Sequence, residues 1–186
     1  LERYKALYPL QNPLASTVRA VFVQSADDLG DPGPEYDFGY GRLNAVKAVD
    51  LLNGGTFLED QINHNQSLSW TFENTGSLSP ITFTLAWDDP PAAENAAVTL
   101  INDLDLRLIA PLSTVYRPWV LDPANPAMSA TTGIDQRNNL EQVRRTSSLE
   151  VGTWTVEITG SNIPQGPQKF SLIYSSGITL TSTSVP

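Results

Sequence analysis

Side chains that can bind a metal ion are concentrated in three short stretches of the sequence. Residues 87–90 (WDDP) end one segment of alternating apolar and polar residues, residues 102–105 (NDLD) begin the next, and residues 135–141 (DQRNNLE) lead into a third. If the first two segments pair as antiparallel strands, the end of one lies beside the start of the other. We therefore expect the three stretches to meet at one end of a sheet. The candidate ligands are Asp88, Asp89, Asn102, Asp103, Asp105, Asn138, Asn139 and Glu141, with Asp135 in the last stretch.

These residue types suit calcium. Ca²⁺ takes six to eight oxygen ligands from carboxylates, amides and loop carbonyls. Asp103 and Asp105 are two apart in an extended segment, so both point to the same side, and clustered carboxylates repel each other unless a cation lies among them. The alternative is that these are ordinary turn residues, since Asp and Asn are abundant in turns for reasons unrelated to metal. No D-x-D-x-D-G loop occurs, so the pattern does not indicate an EF-hand.

The chain shows no catalytic constellation of its own. His64, in INHNQS, is the one histidine, and no G-x-S-x-G motif occurs. A general base needs a nucleophile within hydrogen-bond reach and an acid that orients it, so we predict a surface histidine in a loop. The absence of cysteine excludes disulfides, thiolate metal sites and a cysteine nucleophile.

Aromatic side chains offer a second kind of candidate site. Trp87 and Trp154 alternate with apolar residues, which predicts that both lie in the core. Trp119 follows Tyr116 and Arg117 in YRPWVLDP and does not share such a pattern. These three residues are predicted to pack against a neighbouring domain or to bind a ligand.

Charge and hydropathy exclude two classes of partner. The formal net charge is −9 and the pI is about 4.4, so the surface repels phosphate backbones and nucleic acid is not an expected partner. No run of about 18 apolar residues occurs, so no membrane-spanning segment is predicted.

Most of the chain has the two-residue period of half-buried strands. The clearest alternation is at 81–87, 103–109, 153–159 and 169–175, and weaker strands are predicted at 66–72, 114–120, 140–145 and 178–182. Seven or eight short strands with one apolar face each predict an antiparallel β-sandwich, of jelly-roll or P-domain-like type. Residues 122–136 are predicted to form a long polar loop of the kind that is usually functional.

Residues 1–54 have a helical period instead. Leu1, Tyr4 and Leu7 share one helical face before Pro9. A second helix with Val18, Val21 and Phe22 on one face and Ser16 as a possible cap follows, and a third is predicted from Asn44 to Gly54–Gly55. The predicted domains are 1–54, helical, and 55–186, β.

The two parts together resemble one known protein class. LYPLQNPLASTVRAVFVQSADDLG (7–30) and EYDFGYGRLNAVKAVDLL (35–52) resemble the end of the catalytic domain of subtilisin-like serine peptidases, where Gly39, Gly41 and Asn44 form a turn before the last helix. Four later blocks resemble the sandwich that follows this domain in calcium-containing bacterial alkaline subtilases, related in shape to the P-domain of proprotein convertases. These blocks are TLAWDDPPA, VTLINDLDLRLIAP, DQRNNLEQV and GTWTVEITGSNIPQGPQKFSLIY.

The resemblance implies that the chain is the C-terminal portion of a secreted, extracellular serine endopeptidase that cleaves protein substrates. The family's nucleophile lies in a Gly-Thr-Ser turn, and its Asp, His and oxyanion Asn lie further upstream; none maps onto residues 1–54. The fragment is therefore predicted to be non-catalytic and to stabilise the catalytic domain, with calcium as implied cofactor and the upstream remainder as partner. Alternatives are a carbohydrate- or protein-binding module and an adhesion module.

Apolar helix faces in residues 1–54 raise a physical question, because an exposed apolar patch of that size does not stay bare. The sequence leaves three solutions open: the upstream remainder covers these faces, they pack on the sandwich, or two copies pair through them.

Overall fold

The computed structural model describes residues 1–78, 80–147 and 149–183. Three helices precede a chain of strands. The helices are α1 (Glu2–Leu7), α2 (Ala15–Ser25) and α3 (Ala45–Asn53). The strands are β1 (Phe57–Ile62), β2 (Ser67–Asn74), β3 (Ile81–Trp87), β4 (Asp103–Ile109), β5 (Val115–Tyr116), β6 (Trp119–Val120), β7 (Thr131–Thr132), β8 (Leu140–Arg145), β9 (Gly152–Asn162), β10 (Gln168–Tyr174) and β11 (Thr181–Ser182).

The strands form two antiparallel sheets, which confirms the prediction of a mainly β chain with a sandwich. One sheet has the order β1-β10-β3-β8 and the other β11-β2-β9-β4-β5, while β6 and β7 pair separately. The inward side chains of both sheets form one core, in which Trp87 and Trp154 are fully buried, as predicted. Burying two such large side chains stabilises the contact between the sheets.

Alternation in the sequence located most strands well. The bounds of β3, β4 and β8 agree with the predicted segments residue for residue. The segment predicted at 114–120 is divided into β5 and β6. Sequence reasoning missed β1, because this edge strand carries exposed polar residues at 59–61 and lacks a clean apolar period.

The outer face of the first sheet is covered by α2, which lies against β3 and β10. Ala20 and Val21 of the helix share a small apolar cluster with Ala86 and Ile173 of the sheet. All residues of β3 are consequently buried. The sequence predicted a solvated face for Thr82, Thr84 and Ala86; this was wrong because a helix from the same chain covers that face.

The N-terminus of α2 is capped by the sandwich. The N-cap residue Leu14 has no side-chain cap of its own. Instead, the Leu14 amide donates to Glu59 Oε1 at 3.2 Å and the Ser16 amide donates to Asp88 Oδ2 at 3.1 Å. The predicted cap, Ser16, is buried and its hydroxyl lies 2.8 Å from that of Ser171. The helix therefore depends on carboxylates of the β-part for its capping.

We expect Asp88→Ala to lower the free energy of unfolding by about 1 kcal/mol, the usual cost of losing a helix cap. Urea denaturation followed by circular dichroism measures this change. Glu94→Ala, at an exposed position with no hydrogen bond or ion pair to a described residue, is the matched control and should leave the midpoint unchanged. Equal effects of the two variants would show that the Asp88 cap does not stabilise α2.

The turn before α3 uses its glycines in different ways. Asn44 is the N-cap of α3, and its Oδ1 accepts from the Lys47 amide at 3.0 Å. Gly41 has a φ of 101° and packs against the Asp27 carbonyl so closely that a Cβ would lie 2.2 Å from that oxygen. Gly39 has a φ of 60° but has open space around it.

Candidate functional site

Glu141 is the central residue of an acidic cluster at one side of the sandwich. It lies on β8, opposite Leu85 of β3, and is fully buried. Its side chain reaches the other sheet, where Oε2 accepts from the Leu106 amide of β4 at 2.6 Å. This amide is free to be bound because β5 pairs with β4 only at Leu108 and Ile109. Oε1 of Glu141 is buried and has no hydrogen-bond partner among the described residues.

Two aspartates at the start of β4 belong to the same cluster. Asp103 is 8% exposed, and its Oδ1 is buried without a partner in the described part of the chain. Asp105 accepts a hydrogen bond from Ser161, which is the extra residue of β9 at the register shift beside Asp103 and Leu104. Asp103 and Asp105 are close enough for their charges to interact.

Asp135 brings the long loop into this cluster. It is buried, and Oδ1 accepts from the amides of Arg137 and Asn138 at 2.9 and 3.2 Å. These bonds fix the chain just before β8 and hold the carboxylate near Glu141.

Burial and mutual repulsion raise the pKa values of this cluster. For Asp103, burial and the charges of Asp105, Asp135 and Asp89 raise the pKa to about 6. For Glu141, burial raises the pKa well above its ordinary value, the Leu106 amide opposes this change, and Asp105, Asp135 and Asp103 add to it. Unpaired carboxylates in a low dielectric favour either a proton or a bound cation.

The five other predicted ligands form hydrogen bonds within the protein; they are Asp88, Asp89, Asn102, Asn138 and Asn139. Asp88 caps α2, and Asp89 accepts from the amides of Ile101 and Asn102 at 2.8 and 2.7 Å. Their carboxylates therefore organise the turn between β3 and β4 and the docking of α2.

The amides among the predicted ligands are also engaged. Asn102 Oδ1 accepts from the Gln165 amide at 3.1 Å, and the Asn138 amide side chain donates to Asp135 at 2.7 Å. Asn139 donates to the Trp87 carbonyl at 2.9 Å. Four carboxylates therefore remain as candidates for a shared site, and we call them the acidic cluster: Asp103, Asp105, Asp135 and Glu141.

The acidic cluster fits a cation in part. Its buried oxygens Asp103 Oδ1 and Glu141 Oε1 have no donor among the described residues, which suits a metal ion. Within residues 1–78, 80–147 and 149–183, no three His, Asp or Glu side chains converge closely enough to hold a metal by themselves. A cation would therefore need backbone carbonyls and water as further ligands.

Sequence reasoning missed one residue at this site. Tyr40, in the turn before α3, is half-buried, and desolvation together with the charges of Asp135 and Glu141 raises the pKa of its phenol. Its long separation from residues 135–141 in the sequence gave no signal of this proximity.

Tyr116 and Trp119 form no exposed aromatic row. The Tyr116 ring stacks on Trp154 with centroids 6.0 Å apart, and the Arg145 guanidinium lies 4.2 Å above it. Trp119 packs on the loop between α2 and α3, where a Cβ on Gly33 would lie 2.9 Å from the indole. Arg117 is exposed. This packing does not favour the alternative of a carbohydrate-binding platform.

His64 is exposed, and its Nδ1 accepts from the Ile163 amide at 3.0 Å. This bond places a lone pair on Nδ1 and ties the ring to the end of β9 instead of to a nucleophile. None of the helices in the described parts of the chain is long and apolar enough to cross a membrane.

Comparison with known proteins gives a consistent set of relatives. No family model matches the chain. Three proteins of Dictyostelium discoideum, called serine protease/ABC transporter B family proteins, are similar to it. The similarity is 29% identity over 92% of the chain for tagA, 28% over 77% for tagD and 31% over 50% for tagB. The chain spans about a tenth of tagA (10%), 8% of tagD and 5% of tagB.

Proposed function

We propose that the chain is part of a subtilisin-like serine endopeptidase, with residues 1–54 as the end of the catalytic domain and residues 55–186 as a sandwich that braces it. The relatives carry "serine protease" in their names, and the match to tagA extends through both the helical and the β-part. The resemblance of residues 7–30 and 35–52 to the end of a subtilisin-like domain supports the same assignment.

The observation that carries this proposal is the division of α2 into two faces. Small and hydroxyl-bearing residues, Ser16, Thr17 and Ala20, face the chain's own sheet. Of the apolar residues predicted on one face of α2, Val21 is buried against the sheet, whereas Phe22 is 45% exposed. The sandwich thus covers the side of α2 that carries Ser16, Thr17 and Ala20, and it leaves Phe22 on the other side exposed.

This apolar side continues onto α3. Val46 and Val49 are 72% and 39% exposed. Val49, together with Val18 and Phe22 of α2, borders a groove of about 150 Å³ between the helices. A continuous apolar groove of this kind marks a contact with another part of a protein. We propose that this other part is the remainder of the catalytic domain, which we call the protease unit.

Catalysis is assigned to that protease unit, which would act on protein substrates. We expect the 186-residue chain alone to resist labelling by a fluorophosphonate, a probe that reacts with activated serine hydroxyls. Its described hydroxyls lack the base and orienting acid that such a reaction needs. Labelling of this chain, detected by mass spectrometry, would contradict the proposal; labelling of the protease unit is the positive control.

We also propose that the acidic cluster takes calcium and that the protein works outside the cell. Asp103 and Glu141 would hold the ion through their unpartnered oxygens, with Asp105 and Asp135 adjacent. A bound cation would remove the repulsion among these carboxylates and so stabilise the folded state. At a calcium concentration a hundredfold above Kd, the gain is about 2.7 kcal/mol.

Thermal melts with calcium and with EDTA test this site. We expect calcium to raise the melting temperature of the wild-type chain and to have little effect on Glu141→Gln. Asp37→Asn, in an exposed loop position, should behave like the wild type. An unchanged melting temperature in EDTA would argue against calcium at the acidic cluster.

A further inference from the structure

The loop between β3 and β4, residues 88–102, is closed at its base. The Asp89 carboxylate accepts from the amides of Ile101 and Asn102 at 2.8 and 2.7 Å, so it joins the two ends of the loop. The Trp87 indole donates to the Asn102 carbonyl at 2.8 Å, and Asn102 is fully buried. Both ends of the loop are therefore fixed to the sandwich independently of the residues between them.

The middle of this loop, residues 90–99, makes few contacts. The Ala96 amide donates to the Ala93 carbonyl at 3.2 Å, and residues 90–99 form no other hydrogen bond with a described residue. After this turn, residues 97–99 are all exposed, and Val98 is 65% exposed. Their backbone is consequently accessible, and no hydrogen bond to a described residue has to break before it becomes extended.

The other long loop, residues 122–136, is held more firmly. Asp122 accepts from the Ala124 amide at 2.9 Å, and Ser129 donates to Asp31 in the loop between α2 and α3. β7, within the same loop, pairs with β6. Exposed loops with small side chains and few restraints are the preferred sites of proteolytic cleavage. By this criterion, residues 97–99 are the more susceptible segment.

The strand order shows what a cut in the loop between β3 and β4 would do to the fold. Such a cut separates β1, β2 and β3 from the strands that follow. In one sheet β10 lies between β1 and β3, and in the other β2 lies between β11 and β9. The two pieces also share one core, to which Trp87 and Trp154 both belong. Separation would therefore break both sheets and expose the core, so the cut pieces should stay together.

We propose that the peptide bonds on either side of Val98 are a proteolytic processing site for an endopeptidase that accepts small aliphatic residues before the cut. Cleavage leaves the sandwich assembled from two chains. The reaction consumes one water molecule per bond and produces a carboxylate on Ala97 or Val98 and an amino group on the residue that follows. The site is a property of the sandwich and does not depend on the proposed protease function of the whole protein.

Limited proteolysis of the full chain with elastase, which has a small pocket for the residue before the cut, tests the position. We expect mass spectrometry to locate the first cut after Ala97 or Val98. The double variant Ala97→Asp/Val98→Asp should be cut at least about tenfold more slowly, because a small apolar pocket disfavours a charged side chain. Ala124→Asp/Ala127→Asp, in residues 122–136, is the matched control and should be cut at the wild-type rate.

A first cut of the wild-type chain within residues 122–136 would overturn the proposed site, and so would an unchanged rate for the Ala97→Asp/Val98→Asp variant. The position of the first cut in the wild type decides the question even if that variant does not fold. Size-exclusion chromatography tests the second half of the proposal. The cut wild-type chain should elute with the intact chain in buffer and separate into two pieces in concentrated urea. Separation already in buffer would contradict an assembled two-chain sandwich.

Discussion

Replacement of Gly41 by alanine is expected to destabilise the chain by about 3 kcal/mol. A Cβ at this position would lie 2.2 Å from the Asp27 carbonyl oxygen and 2.8 Å from its carbon, and both belong to backbone that cannot rotate away. The φ of 101° adds strain for any residue with a side chain. The variant should also lose the paired backbone of Asp27 and Arg42. Chemical denaturation of both proteins measures the difference.

Gly39→Ala is the matched control, since Gly39 also has a positive φ but no atom within 4 Å of its missing Cβ. We expect it to cost about 1 kcal/mol, the conformational term alone. A similar loss for the two variants would mean that the approach to Asp27 does not determine the stability of the turn.

The metal-free chain is expected to become less stable as the pH rises from 4 to 7. The pKa of Asp103 is 3.8 when unperturbed and about 6 in the folded state. Between these values the folded chain binds more protons than the unfolded chain, so stability falls with increasing pH. At 1.36 kcal/mol per pH unit, this single group accounts for about 3 kcal/mol at most. The raised pKa of Glu141 acts in the same direction.

Urea denaturation in EDTA at pH 4.5 and pH 7 measures this effect. Asp103→Asn cannot ionise and should show a much smaller decrease between the two pH values than the wild type. Asp37→Asn is again the exposed control. If Asp103→Asn shows the same pH dependence as the wild type, the carboxyl of Asp103 is not the group that is destabilised by ionisation.

Sequence patterns predicted the sandwich because its strands obey the two-residue period wherever one face meets the core. The two-residue period did not predict the burial of a strand where contacts with distant parts of the chain determine it. β3 is buried on both faces because α2 covers it, and β1 is an edge strand whose exposed residues at 59–61 carry no pattern. Both effects depend on contacts between residues that are far apart in the sequence, so a short stretch of sequence cannot predict them.

Less of the acidic cluster than of the fold could be predicted from the sequence. The charges of Asp103, Asp105 and Glu141 interact in the structure, and their binding of a metal ion stays a prediction. It could not show that Asp88 would instead cap a helix, because that bond joins residues 72 positions apart. Tyr40 was missed for the same reason.

The most direct test of the proposed function is the affinity of this chain for the serine protease unit of its source protein, produced separately. Sedimentation velocity should show a one-to-one complex. Val49→Glu, at a 39% exposed position of the groove, should weaken binding by more than about tenfold, which corresponds to 1.4 kcal/mol. Leu112→Glu, 80% exposed on the sandwich, should leave binding unchanged. No complex, or a complex insensitive to Val49→Glu, would contradict the assignment of the apolar groove as the contact with the protease.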